Sequence, residues 1–229
     1  MIIEKVVAPY FETNCWIIAP GPNSECFLVD PGISQPNLMA PITKTLQEKN
    51  LKPIAVILTH GHLDHTFSVV PLTKGYGIPA LIHAKDRGAL LNPYQVISKG
   101  GPTEEIIKAF GITKFEEPEI VKPLNGGEKF ELAGFKIEAQ HAPGHTAGSA
   151  IFTLDDAYLI SGDVLFAGSI GRTDMPSGSM QEMKKTLKEK ILPLQDELIV
   201  LPGHGPQTTI AQERVRNPYL QNDFFLQKD

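Results

Sequence analysis

The densest chemistry in the chain is His60-Gly61-His62-Leu63-Asp64-His65, four side chains able to bind a metal within six residues. His60 and His62 stand at alternate positions. That spacing is wrong for one face of a helix, where paired ligands fall at i and i+4, and right for an extended loop end that aims both imidazoles at one point. Asp64 and His65 adjoin each other and must aim elsewhere, which two neighbouring metals satisfy, one held by each pair. A charged helix N-cap with incidental histidines does not account for such density.

Three more candidates each follow a predicted strand: His145 in APGHT, Asp163 in SGD and His204 in LPGHG. Glycine precedes His62, His145 and His204, and a residue without a Cβ permits a tight strand-to-loop turn that exposes the next side chain. A carboxylate such as Asp163 can bridge two cations with its two oxygens, which would complete a site of five histidines and two aspartates. Taken singly, Asp163 and His204 read equally well as turn residues. Together with the first cluster they form a pattern.

The chemistry of such a site is hydrolytic. Water bound between two divalent ions has its pKa brought toward ~7 and becomes a hydroxide nucleophile at neutral pH, while the ions polarise a carbonyl and stabilise its oxyanion. Asp64 is the candidate catalytic residue, placed to orient or deprotonate that water as well as to bind metal. The sequence offers no strong general acid beyond the site. A thiol of pKa ~8.5 leaves as thiolate without one and an amide nitrogen does not, which favours thioesters or activated esters over amides. No G-x-S-x-G elbow occurs, and neither a P-loop nor a G-x-G-x-x-G follows a predicted strand, so serine-hydrolase and nucleotide-cofactor readings lack support.

These residues need strands to present them. IIEKVV, NCWIIA and ECFLVD read as an opening hairpin or meander. Leu38, Met39, Ile42 and Leu46 recur at helical spacing before Asn50, and the β-branched run Ile54–Leu58 reads as a strand buried on both faces. A polar loop at 59–65 is followed by a helix predicted to reach Lys74, and the GYGIP turn leads into the strand ALIH. Residues 84–118 carry NPY, KGGPT and EEPE around a short helical piece, and read as a lid or loop insertion too small for its own core. Strands follow at EKFEL, GFKIEAQH, SAIFTL and AYLIS, the last two joined at Asp155-Asp156. The final third holds a helix near Met180–Leu192, the strand ELIVL and helical turns from Thr208. Strands in pairs flanked by helices imply two packed sheets with helices outside.

Composition narrows the class. The 229 residues, 41% hydrophobic and 21% charged, suit one globular domain spanning 1–229 and exclude a disordered, collagenous or disulfide-scaffold chain. Lys plus Arg number 21 against 26 Asp plus Glu, a net charge of −5, which argues against a nucleic-acid partner. No window approaches the ~20 apolar residues of a membrane span, so no membrane partner is expected. Cys15 and Cys26 lie in apolar runs and read as inert buried thiols of a reducing, cytoplasmic compartment. His83 and His141 are read as structural. Thr59 and Thr146 flank ligands, where a hydroxyl either steadies an imidazole or simply ends a strand. Arg172, beside Asp174 in GRTD, is the candidate substrate contact, with a mutual salt link as its alternative.

The ordered set THGHLDH, PGHT, SGD and PGHG resembles the metallo-β-lactamase superfamily over essentially the whole chain. The resemblance implies a single-domain α/β (α+β) fold, a four-layer αββα sandwich with the metal site at one edge of the sheets. It implies that His60, His62 and His145 hold one metal and Asp64, His65 and His204 the other, with Asp163 bridging. Two divalent ions, zinc above iron or manganese, are the expected cofactors. GRTDMPSG and the tail LPGHGPQTTIAQERVRNPYL look like the short glyoxalase II-like hydrolases, implying a small thioester of the S-lactoylglutathione type as substrate. Larger members add a C-terminal basic domain that binds glutathione, and here 25 residues follow His204. GRTD also resembles persulfide dioxygenases, which implies a single iron on His60, His145 and Asp163; a hydrolase of another ester, lactone or lactam is the remaining alternative. A nuclease of the same superfamily fits the acidic balance poorly. The oligomeric state is left open.

Overall fold

The chain is described by a computed structural model covering residues 1–226. β1 (Ile2–Val7), β2 (Asn14–Ala19), β3 (Glu25–Val29), β4 (Lys52–Ile57), β5 (Ala80–His83) and β6 (Val121–Leu124) form one six-stranded sheet in sequence order. Its first three strands are the expected antiparallel meander, and β3 through β6 run parallel. The second six-stranded sheet contains β7 (Lys129–Leu132), β8 (Phe135–His141), β9 (Ala150–Leu154), β10 (Tyr158–Gly162), β11 (Ile199–Pro202) and β12 (Thr208–Thr209), again in sequence order. Only β10 and β11 pair in parallel there.

Period-two alternation along β2 divides its side chains between two cores. Cys15, Ile17 and Ala19 face outward into a cluster with Leu38, Ile42, Leu46 and Leu72, whereas Trp16 and Ile18 face the second sheet and meet Phe27, Phe135 and Phe152. The outer cluster is closed by α1 (Met39–Glu48) and by α3 (Val69–Tyr76), which follows the short α2 (Leu63–Thr66). On the far side, Ile151, Leu159 and Val200 pack on Met183, Leu187 and Ile191. These belong to α5 (Met180–Thr186) and the single π-turn Leu187–Ile191 that extends it. Helix, sheet, sheet and helix are thus separated by three apolar layers, the αββα arrangement.

A fourth apolar cluster lies beyond this sandwich. Ala89, Val96, Ile97 and Ile107 of the 84–118 segment, which contains α4 (Pro102–Ala109), pack with Ile33 and Leu63 of the first sheet's loops. The segment therefore shares its apolar contacts with the loops beneath the site. Two further helices, α6 (Ile210–Arg216) and α7 (Asn222–Leu226), close the described chain, α6 capped by the Thr209 hydroxyl accepting from Gln212 N–H.

Three local features depart from expectation. The helical turns expected from Thr208 begin at Ile210, because Thr208 and Thr209 pair with Val200 and Ile199 as β12. β6 is absent from the sequence reading because Pro123 weakens it; its position at the sheet edge is where a residue lacking N–H is tolerated. The helix expected to run unbroken to Lys74 is interrupted at Phe67-Ser68, since Pro71 has no N–H to continue the ladder and instead occupies the first turn of α3. Ser68 joins the two pieces to the loop between β3 and α1, its hydroxyl donating to Gly32 O at 2.7 Å and accepting from Leu38 N–H at 2.8 Å.

Candidate metal centre

Strand ends of both sheets converge on one edge. The loop after β4 carries His60 and His62, α2 carries Asp64 and His65, the β8–β9 loop carries His145, and the ends of β10 and β11 carry Asp163 and His204. His62 Nδ1 lies 3.1 Å from His60 Nε2 and 2.8 Å from His145 Nε2. Beside this trio, His65 Nε2 and His204 Nε2 stand 3.1 Å apart, and Asp64 Oδ2 is 3.5 Å and 3.4 Å from them. Asp163 spans the two groups, with Oδ1 3.4 Å from His65 Nε2 and Oδ2 3.4 Å from His145 Nε2. All seven residues expected to bind metal are brought together.

Each imidazole also has an outward nitrogen against an oxygen. His62 Nε2 faces Val96 O at 2.9 Å, His145 Nδ1 faces Arg172 O at 2.7 Å, and His204 Nδ1 faces Phe11 O at 2.9 Å. His65 Nδ1 meets Asp30 Oδ2 at 3.0 Å and His60 Nδ1 the Thr59 hydroxyl at 3.0 Å. A carbonyl or carboxylate accepts only, so at four of the five histidines the outward nitrogen carries the hydrogen. In the neutral ring the inward nitrogen is then a bare lone pair. Lone pairs of His62 and His145 at 2.8 Å repel unless a cation lies between them. Asp163 Oδ1 is likewise buried without a well-formed hydrogen bond, a condition that a bound cation would relieve. The donor set fits a pair of divalent ions.

Electrostatics separates the two groups. Burial, reinforced by its histidine neighbours, holds His60 well below its ordinary pKa and brings His145 to about 4; His62 is also lowered by burial. The trio is therefore neutral at pH 7. In the second group burial acts the same way and is outweighed. Asp163 and Asp64 hold His65 well above the ordinary value, and hydrogen bonds to the same carboxylates lift His204 to about 9. The carboxylates reciprocate: against burial, His65 brings Asp64 to about 2 and holds Asp163 low.

Asp30 is a site residue that the motif reading passes over. It ends the ECFLVD run at φ +49° and accepts from Thr59 N–H at 2.8 Å, the Thr59 hydroxyl at 2.6 Å and His65. Its oxygens are thereby committed, so the proximity of Asp30, His60 and His65 is a support and not a third cation pocket. The signal available in sequence was an aspartate at a strand end, but its partners lie 29 and 35 residues away. The glycines before the histidines serve more than one need. Gly144 has φ +142° and no room for a Cβ, which would lie 2.5 Å from Met183 Cα; Gly203 is needed for space alone, because a Cβ there would collide with Asp163 Oδ1 and lie 2.7 Å from His65 Cε1.

A cavity of roughly 400 Å³ opens over the group, walled by Phe11, Ile97, Pro102, Phe166, Arg172 and Met175. Arg172 reaches this wall while its guanidinium pairs with Asp174 through two bonds of 2.7 Å at the surface. His83 and His141 stack at 4.1 Å away from the cavity, donating to Asn125 O and Ala147 O. Thr59 does touch His60, and Thr146 donates instead to Asp86. Both cysteines are free and buried, burial raising Cys15 far above its ordinary value and Cys26 to about 12, so neither is a nucleophile.

The ligand order, the two facing sheets and the edge position define a class, and comparison with known proteins bears on it directly. The metallo-beta-lactamase superfamily profile matches residues 8–204, and the chain belongs to that superfamily. It is 34% identical over 225 residues to the hydroxyacylglutathione hydrolase GloC of Haemophilus influenzae, covering 97% of this chain and 99% of that one. Among solved structures it is similar to the BLEG-1 B3 metallo-beta-lactamase, at 30% identity and TM-score 0.81 over 96% of this chain and 100% of that one. It is also similar to TTHA1623 in a di-iron-bound form, at 31% identity and TM-score 0.75 over 95% and 100% of the two chains. Among the described residues no helix is long and apolar enough to cross a membrane.

Proposed function

We propose that the protein is a binuclear metal-dependent hydrolase of the glyoxalase II type, cleaving a small thioester such as S-lactoylglutathione in the cytoplasm. The observation that carries this reading is the doubled donor set: three imidazoles on one side, Asp64, His65 and His204 on the other, and Asp163 within 3.4 Å of both. The identity to a hydroxyacylglutathione hydrolase over nearly the full length of both chains supports the substrate class. Zinc is the favoured pair of ions, and the di-iron form of a relative makes iron the main competitor. When bound, the two ions supply an activated water and Lewis acidity toward the thioester carbonyl.

The chain's own residues would do the rest. His60, His62, His145, Asp64, His65, His204 and Asp163 hold the ions. Asp64, brought to about 2, is too weak a base to keep a proton and serves as ligand and acceptor that orients the attacking water. The Thr13 hydroxyl, 3.4 Å from Asp64 Oδ2, steadies that carboxylate. Phe11, Phe166 and Met175 give the acyl group an apolar wall beside the donors. The thiolate departs without a general acid, and Arg172 at the rim contacts the leaving part of the substrate.

Elemental analysis of the purified protein, run beside a thioester panel, tests the proposal. Two ions per chain with hydrolysis of S-lactoylglutathione is the expected result. One iron per chain with oxygen uptake on glutathione persulfide would overturn it, as would hydrolysis confined to lactams or lactones.

A further inference from the structure

His60 and His62 come from the first sheet and His145 from the second, so the trio exists only if something fixes the two sheets' loops against each other. Asp86 stands where this happens. It follows β5 in a tight turn, its N–H bonded to His83 O at 3.0 Å and its carbonyl accepting from Ala89 N–H at 3.0 Å. Its side chain is 1% exposed. One carboxylate oxygen, Oδ2, accepts from Gly61 N–H at 2.7 Å, between His60 and His62, and from the Thr146 hydroxyl at 2.6 Å, next to His145. The other, Oδ1, accepts from Gly148 N–H at 2.7 Å. The space beside the carboxylate is cut to a glycine at Gly148, where a Cβ would lie 2.5 Å from Asp86 Cγ and 2.5 Å from Oδ1.

We infer that Asp86 is the positioning residue of the three-histidine pocket, a clamp that locks the His60–His62 loop to the His145 loop and so preforms one cation site without touching the cation. The inference rests on the binuclear reading proposed above. It is specific to one pocket, because the other is tied by different groups. Asn14 Nδ2 donates to Pro202 O at 3.0 Å and Gly205 O at 2.9 Å, and Trp16 Nε1 donates to Pro202 O at 3.0 Å, seating the loop that carries His204. Replacing Asp86 by Asn leaves one oxygen to accept and turns a donor toward a backbone N–H or a hydroxyl, so the clamp opens on one side with side-chain volume unchanged.

The test is a cobalt(II) titration of the metal-free full chain, followed by visible absorption, for wild type, Asp86→Asn, Gly148→Ala and Asn14→Ala. Partners that orient metal ligands typically change affinity by ~10–100-fold. Asp86→Asn and Gly148→Ala are expected to weaken one of two bound ions by that factor and leave the second unchanged; Asn14→Ala is expected to weaken the second alone. Thermal unfolding of each metal-free variant separates a positional effect from a failure to fold, and Thr146→Val, which removes one bond of the clamp, gives a milder version of the same selective loss. Two ions bound with wild-type affinity in Asp86→Asn, or both weakened equally in a folded variant, would overturn the inference and leave the binuclear reading standing. A wild-type chain that takes up no cobalt would overturn both.

Discussion

The two halves of the metal centre solve one problem by opposite means. In the three-histidine pocket, ligands are kept neutral by burial, and the site is ready for a cation without displacing a proton. In the neighbouring pocket two carboxylates and two histidines with raised pKa form an internal salt cluster that must give up protons before it can bind. The first pocket is organised by absence of charge and the second by its balance. The lesson is that a symmetric-looking set of candidate ligands conceals two groups with opposite pKa shifts and different hydrogen-bonded supports.

Asp163 belongs to both pockets, so its removal tests whether they are one unit. Asp163→Ala is expected to lose both ions and lower thioester turnover by ~10³-fold or more, the several kcal/mol that a bound ion contributes to the transition state. Retention of two ions and full turnover, measured by elemental analysis and initial rates, would end the description. His62→Ala and His204→Ala sharpen it: each should cost one ion while the other remains, and loss of both from His62→Ala would mean that the pockets cannot be occupied separately.

The pH response separates them next. In the metal-free protein His204 is raised to about 9 and is protonated at neutral pH. Cation uptake in its pocket should therefore release protons and tighten as pH rises toward that value. His145, lowered to about 4, is already neutral, so uptake by the trio should be flat across neutral pH. Calorimetry in two buffers of unequal ionisation heat reads the proton count; an equal count for both ions would refute the contrast. The smallest effect is expected from Arg172→Ala. Because the Arg172–Asp174 pair is exposed, metal content and thermal midpoint should stay at wild-type values, and a change in KM alone would mark Arg172 as a substrate contact.

Much of this centre was readable in the chain, and the reason is local. His60, His62, Asp64 and His65 sit within one loop and one helical turn, and each remaining candidate follows within a few residues of a strand, so spacing and strand pattern point to them. The layers were readable for a similar cause: continuous apolar runs such as Ile54–Leu58 require cover on both faces. What escaped depends on distance. Asp86 lies between Lys85 and Arg87 and looks like part of a solvated loop, yet it is bonded to residues 25, 60 and 62 positions away. β6 escaped because Pro123 interrupts its short run, a break that its place at the sheet edge tolerates.

Phe11, Val96 and Arg172 bound the substrate cavity or adjoin it, and each supplies a main-chain carbonyl to a histidine ligand. A carbonyl is the same group whatever side chain it belongs to. The walls can accordingly be randomised in a library at Phe11, Ile97, Ser98, Thr103, Phe166 and Met175 in search of new acyl preferences, with His62, His145 and His204 still oriented by the peptide backbone. The choice of acyl group and the aim of those three imidazoles are thereby separable by design, one written in side chains and the other in the main chain.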